Sequence, residues 1–178
     1  MKGLLVTKRT KLRLDPFLFL GGDHYDVLLD GAVEFQGSNP IQVAQFAQGG
    51  DTDPQNYNNG DPCEILLPPT GRYLSSYTIT TGWDDYQIGD FGVNFLNLIV
   101  PQSAISTTVV VNTSVPETNS VAESSFVPVG SSGYSAARVP VAPAKTYTVT
   151  SSQPFELQVY GFGDYDAYGY LGGLVVFP

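Results

Sequence analysis

"SQPFELQVYGFGDYDAYGYLGG", residues 152–173, is the stretch whose reading decides the fold. Pro154 has no N–H, so it belongs at the start of a strand or on a sheet edge. The apolar alternation after it turns one side of the strand inward. Tyr160, Phe162, Tyr168 and Tyr170 are spaced by two or multiples of two. On extended chain they are expected to share one face, as a core or inter-sheet layer requires. The glycines between them allow tight bends and close backbone approach. Tyr165 falls out of that phase, between Asp164 and Asp166, and marks the turn. The stretch reads as the closing hairpin of a β module. The competing reading is a metal loop built on Asp164 and Asp166.

The rest of the chain agrees with the hairpin. No window keeps apolar residues at i, i+3, i+4 and i+7 for three turns, so helices are not expected. Short β-branched and aromatic runs recur instead, among them "YDVLLD", "AVEFQ", "SSYTITT", "NFLNLIVP", "TTVVVNT", "YSAARVPV" and "KTYTVTS". Turn residues lie between them: "DG" at Asp30–Gly31, "NNGDP" at Asn58–Pro62 and "PAK" at Pro143–Lys145. Many strands at this spacing predict an all-β, antiparallel β-sandwich. "SNPIQVAQFA" (Ser38–Ala47) echoes "SQPFELQVYG" (Ser152–Gly161), which raises the alternative of two related sandwich units. The expected organisation is a basic arm over 1–14, a first β unit over 15–70 and a second over 71–178.

Charge separates the arm from the body. The first fourteen residues hold five of the eight basic residues, Lys8, Arg9, Lys11 and Arg13 among them. Beyond Leu14, Arg72, Arg138 and Lys145 face all seventeen acidic groups. Such a body repels nucleic-acid phosphates, so no nucleic-acid partner is expected. The arm reads either as a solvated leader or as an assembly element that docks on the acidic body of a neighbouring copy. No apolar run reaches the length of a membrane span. The start lacks the apolar core of a signal peptide. The single cysteine, Cys63, excludes an internal disulfide.

Catalytic chemistry finds no support. The only histidine is His24, and no G-x-S-x-G elbow exists to supply a serine nucleophile. Nothing in the spacing supports a Cys63–His24 dyad. One His and one Cys cannot fill a tetrahedral metal shell. Calcium is the better candidate, because Asp51, Asp53 and Asp61 lie in one loop of hard oxygen ligands, with Asp164 and Asp166 as a second cluster. That loop lacks the glycine and glutamate of an EF-hand, and a polar surface loop explains it as well. Trp83 with Tyr86, in "TGWDDYQIGDF", is the best carbohydrate-stacking pair; the competing reading is an aromatic plug on the sandwich end. No other cofactor is implied.

"GDPCEILLPP" (Gly60–Pro69), Tyr73 and Tyr77 in "YLSSY", and the run from Val139 to Gly173 carry a family resemblance. Together they resemble the N-terminal domain of IgGFc-binding protein and its bacterial relatives, over the stretch from roughly Pro40 to Gly173. In that family "GDP" with "PP" five residues on precedes "Y-x-x-x-Y", and the domain closes on a Tyr/Gly-rich hairpin. Ala167 stands where the family usually has Ser, and Leu171 where Pro is common. The family domain carries further β units on its N-terminal side, so the resemblance suggests the later part of such a domain behind a different leader. It implies a non-enzymatic extracellular module for adhesion, matrix or self-assembly, with protein partners that include further copies of itself. The alternative is a calcium- or glycan-binding module of a larger secreted protein.

Overall fold

The computed structural model describes residues 2–10, 24–48, 60–85, 89–113 and 118–176. Its strands are β1 (Lys2–Thr10), β2 (Asp30–Gln36), β3 (Val43–Phe46), β4 (Glu64–Leu67), β5 (Leu74–Thr80), β6 (Asp84–Asp85), β7 (Gly89–Asp90), β8 (Val93–Pro101), β9 (Val109–Asn112), β10 (Thr118–Ser120), β11 (Val127–Pro128), β12 (Tyr134–Val141), β13 (Thr146–Gly163) and β14 (Asp166–Leu171). All pairings are antiparallel. The only helical pieces among the described residues are short 3₁₀ turns.

The 18-residue β13 organises the sandwich. Its first part, Thr146–Thr150, pairs with β5 on one side and β9 on the other. Its second part, Glu156–Phe162, pairs with β8, and Gln158–Gly163 with β14. One strand therefore serves two sheets, β10-β9-β13-β5 and β11-β12-β8-β13-β14. Between the halves the register with β5 shifts, and Pro154 lies in that shift. The expectation that Pro154 starts or edges a strand is corrected: it lies inside one, where the ladder is already broken and its missing N–H costs nothing. The 3₁₀ turn Gln102–Thr107 holds this crossover, with Thr107 Oγ1 2.8 Å from Ser152 Oγ and Gln153 Nε2 donating to Ser103 Oγ at 2.9 Å.

Alternation fills the space between the halves. Tyr77, Ile79, Val110, Tyr147 and Val149 come from one side, and Leu96, Leu98, Val100, Phe155, Leu157 and Val159 from the other. On the outer face of the β8–β13 sheet lie two ribbons, β1–β2 and β3–β4. Leu29, Ile65 and Leu67 pack there with Tyr160 and Leu171, and Ala32 packs with Ile99, Val129 and Ala136. Residues 2–10 of the basic segment thus form a strand on their own chain's β2; Lys11 and Arg13 fall outside the described residues. The two echoing stretches differ in burial at one matched position. Phe46 is exposed while its counterpart Tyr160 is part-buried.

The closing hairpin is present, with Tyr165 at its turn in the left-handed region (φ 52°). Its aromatics do not share one face. Residues paired across the hairpin sum to an odd number, with Tyr160 opposite Gly169 and Gly161 opposite Tyr168. Paired residues share a face, so a two-residue turn inverts the parity of the returning strand. Tyr160 and Phe162 point to the outer face, whereas Tyr168 and Tyr170 pack on the sandwich core. Each "YG" places a tyrosine opposite a glycine whose bare backbone its ring can cover. The Tyr168 hydroxyl donates to Asn94 Oδ1 at 2.5 Å and accepts from the Gly82 amide at 2.8 Å. Tyr170 bonds both the amide and the carbonyl of Thr80. Both tyrosines fasten the β14 edge to the opposite sheet.

Tyr165 is 64% exposed. A non-glycine residue in the left-handed region costs about 1 kcal/mol. Tyr165→Gly is expected to raise stability by up to about 1 kcal/mol in urea denaturation.

Candidate functional site

Of the residues singled out for metal, Asp61 and Asp164 follow Gly60 and Gly163, whose backbones share a hydrogen bond of 2.8 Å. Asp61 is exposed at the foot of β4, while Asp51 and Asp53 lie outside the described residues. Asp164 and Asp166 flank the hairpin tip, both exposed, and Asp166 Oδ1 accepts from the Ala167 amide at 2.8 Å. No group of three metal-ligating side chains occurs among the described residues. His24 is exposed and Cys63 half-buried, with burial pushing the thiol above its usual range. A raised thiol pKa holds Cys63 protonated, the opposite of what a nucleophile needs.

Trp83 is 61% exposed, so the side chain does not plug the sandwich end. Its carbonyl accepts from the Phe91 amide at 2.7 Å across the β6–β7 hairpin. Tyr86 lies outside the described residues. Trp83 is the sole tryptophan. Its fluorescence should resemble that of free tryptophan and be quenched fully by acrylamide. A blue-shifted, protected emission would contradict the exposed placement.

The outer face of the β12–β8–β13 sheet carries a different constellation. Strand register places Arg138, Asn97 and Gln158 in one row, with Pro140, Phe95 and Tyr160 in the next. Arg138 is exposed, and its guanidinium lies 3.6 Å from the centre of the Phe95 ring. Phe95 in turn stacks on Tyr160 with centroids 5.5 Å apart. Exposed Val93 and Pro140 border the group. The aromatic faces hold the guanidinium by cation–π attraction, one edge donor meets the Tyr160 hydroxyl, and the others face outward toward an incoming carboxylate. No carboxylate pairs with Arg138 among the described residues.

Inward from Arg138 runs a polar chain. The guanidinium lies by the Tyr160 hydroxyl. That hydroxyl donates to Asn97 Oδ1 at 3.1 Å, and Asn97 Nδ2 donates to Gln158 Oε1 at 3.2 Å. Gln158 Nε2 donates to Glu156 Oε1 at 2.6 Å, and Tyr73 donates from its hydroxyl to Glu156 Oε2 at 2.7 Å. Glu156, Gln158 and Asn97 are each at most 1% exposed. Burial pushes the Glu156 carboxyl up to about 7, although both hydrogen bonds favour the ionised form. Burial, followed by the Glu156 charge, pushes the Tyr73 phenol far above its usual range.

Sequence reasoning missed both Arg138 and Glu156. The signal for Arg138 was its rarity, as one of three basic residues beyond Leu14. Glu156 had none, because Glu and Gln alternating with Phe, Leu and Val ordinarily mark a solvent-facing side.

A model of the family described as IgGFc binding protein matches residues 5–161. The match takes in residues 5–14 of the basic segment. No curated protein and no solved structure matches.

Proposed function

The chain belongs to the IgGFc binding protein family, and from that premise we propose that it is an extracellular, non-enzymatic protein-binding module that associates with further copies of itself. The observation that carries the reading is Arg138, stacked on Phe95 in an acidic protein and paired with no carboxylate among the described residues. Arginine on an aromatic platform is a frequent centre of protein interfaces. Its complement is on the same chain. The hairpin tip Asp164–Tyr165–Asp166 offers two exposed carboxylates around an exposed aromatic ring. Arg138 and the tip are different surfaces, so the contact is head-to-tail and builds open chains or rings. The family's domains occur in secreted and surface proteins, a setting that suits such assembly.

Sedimentation equilibrium tests this. Arg138→Ala should weaken self-association by about 2 kcal/mol, roughly thirtyfold in Kd. Arg138→Lys should restore little, because a point charge cannot fork. An unchanged mass distribution for Arg138→Ala would sink the homotypic reading.

A second reading rests on Trp83, whose exposure suits a sugar-stacking face. It requires a glycan that protects Trp83 from acrylamide and loses binding in Trp83→Ala.

A further inference from the structure

Glu156 is a carboxyl set between the sandwich and its outer layer, with no cation bonded to it among the described side chains. Its direct partners are neutral, the Tyr73 hydroxyl and the Gln158 amide. Each donor in the chain from Tyr160 through Asn97 and Gln158 points toward it, so the row ends on this one acceptor. The ionisable groups on the elements packed around it can be named from the described side chains. On β13 there are Tyr147 and Tyr160, and on β14, which pairs with it, Asp166, Tyr168 and Tyr170. On β8 there is none, since it offers only Asn94 and Asn97. On β12 there are Tyr134 and, at the far surface end of the chain, Arg138. The segment entering β5 brings Arg72, Tyr73 and Tyr77, and the outer ribbons bring Glu34, Glu64 and Cys63. Tyr73 packs edge-on against Tyr134 at 6.2 Å and leads directly into β5. It is thus the residue through which the carboxyl grips the chain that links the outer ribbons to the sandwich.

We propose that Glu156 is an acid-set latch: neutral, it sits in its dry row and holds the Tyr73 segment and outer ribbons against the sandwich; ionised, it draws water into the row and loosens them. The direction follows from linkage. The folded carboxyl sits above the unfolded value of 4.5, near 7. The folded state therefore binds the proton more tightly than the unfolded chain between those values. Stability is highest below about 4.5 as far as this group is concerned, and is lost as pH rises through about 7.

The test compares the full chain with Glu156→Gln, which keeps both hydrogen-bond partners and removes the charge. The wild-type Tm should fall by about 4–8 °C between pH 5.5 and 8.5. Amide exchange, corrected for its intrinsic pH dependence, should speed up over residues 64–74 and 27–35 before the β8–β13 core. Glu156→Gln should flatten both responses. His24 and Cys63 are common to both proteins, so the difference reports Glu156. A flat wild-type profile, or the same fall in Glu156→Gln, would overturn the latch. If Glu156→Gln does not fold, Tyr73→Phe decides. It removes one of two bonds that favour the ionised form, so the midpoint must move to higher pH. A midpoint that stays put overturns the proposal.

Discussion

Phe155→Ala is expected to cost about 3–5 kcal/mol, a large part of the 5–15 kcal/mol available to a domain. Phe155 is fully buried at the point where β13 leaves one sheet for the other. Its ring meets Tyr77 edge to face at 4.9 Å. Its carbonyl accepts from the Tyr77 hydroxyl at 2.5 Å, and that hydroxyl accepts from the Leu74 amide at 2.9 Å. Removing the ring empties the crossover and leaves Tyr77 without its packing partner. The surroundings cannot collapse into the gap, because backbone from both sheets frames it. Urea denaturation should show a lower midpoint with an unchanged slope, the mark of lost stability without a change in exposed surface. A midpoint within experimental error of the wild type would mean that β13 does not bridge two sheets around this residue.

Gly161→Ala should cost about 1–3 kcal/mol, a large effect for a single methyl group. A Cβ at Gly161 would lie 2.5 Å from both Asn94 Oδ1 and Tyr168 Cε1. The same tyrosine ring would meet a Cβ at Gly82, also at 2.5 Å. Tyr168 is therefore threaded between two bare backbones, with Phe91 edge-on at 5.0 Å. Burial pushes its phenol up to about 12, in keeping with that enclosure. In a double-mutant cycle, Gly161→Ala should cost less on a Tyr168→Ala background, because the ring it strikes is gone. Equal costs on both backgrounds would contradict the threading.

Much of the fold could be read in residues 152–173. The strand, the turn at Tyr165 and the all-β antiparallel sandwich are present in the structure. What misled was parity. Counting by twos holds along one strand, but the two-residue turn placed Tyr168 opposite Gly161, and so on the face away from Tyr160. Pro154 misled for a related reason. The rule that confines proline to strand ends assumes an unbroken ladder, and the ladder shifts there. Glu156 and Gln158 were not legible, since a polar alternation marks an exposed side only when nothing covers it. Here distant ribbons do, and a single sequence holds no trace of that packing. Arg138 became visible once register placed it beside Phe95.

The central claim, that Arg138 on one copy receives the acidic hairpin tip of another, is tested most directly by exchanging the charges. Arg138→Glu alone should be monomeric in sedimentation velocity, and so should the double variant Asp164→Arg/Asp166→Arg. A chain carrying all three changes should associate again, because the same contact is rebuilt with its signs reversed. Association of either charge-reversed parent at wild-type strength, or a triple variant that stays monomeric, would contradict the account.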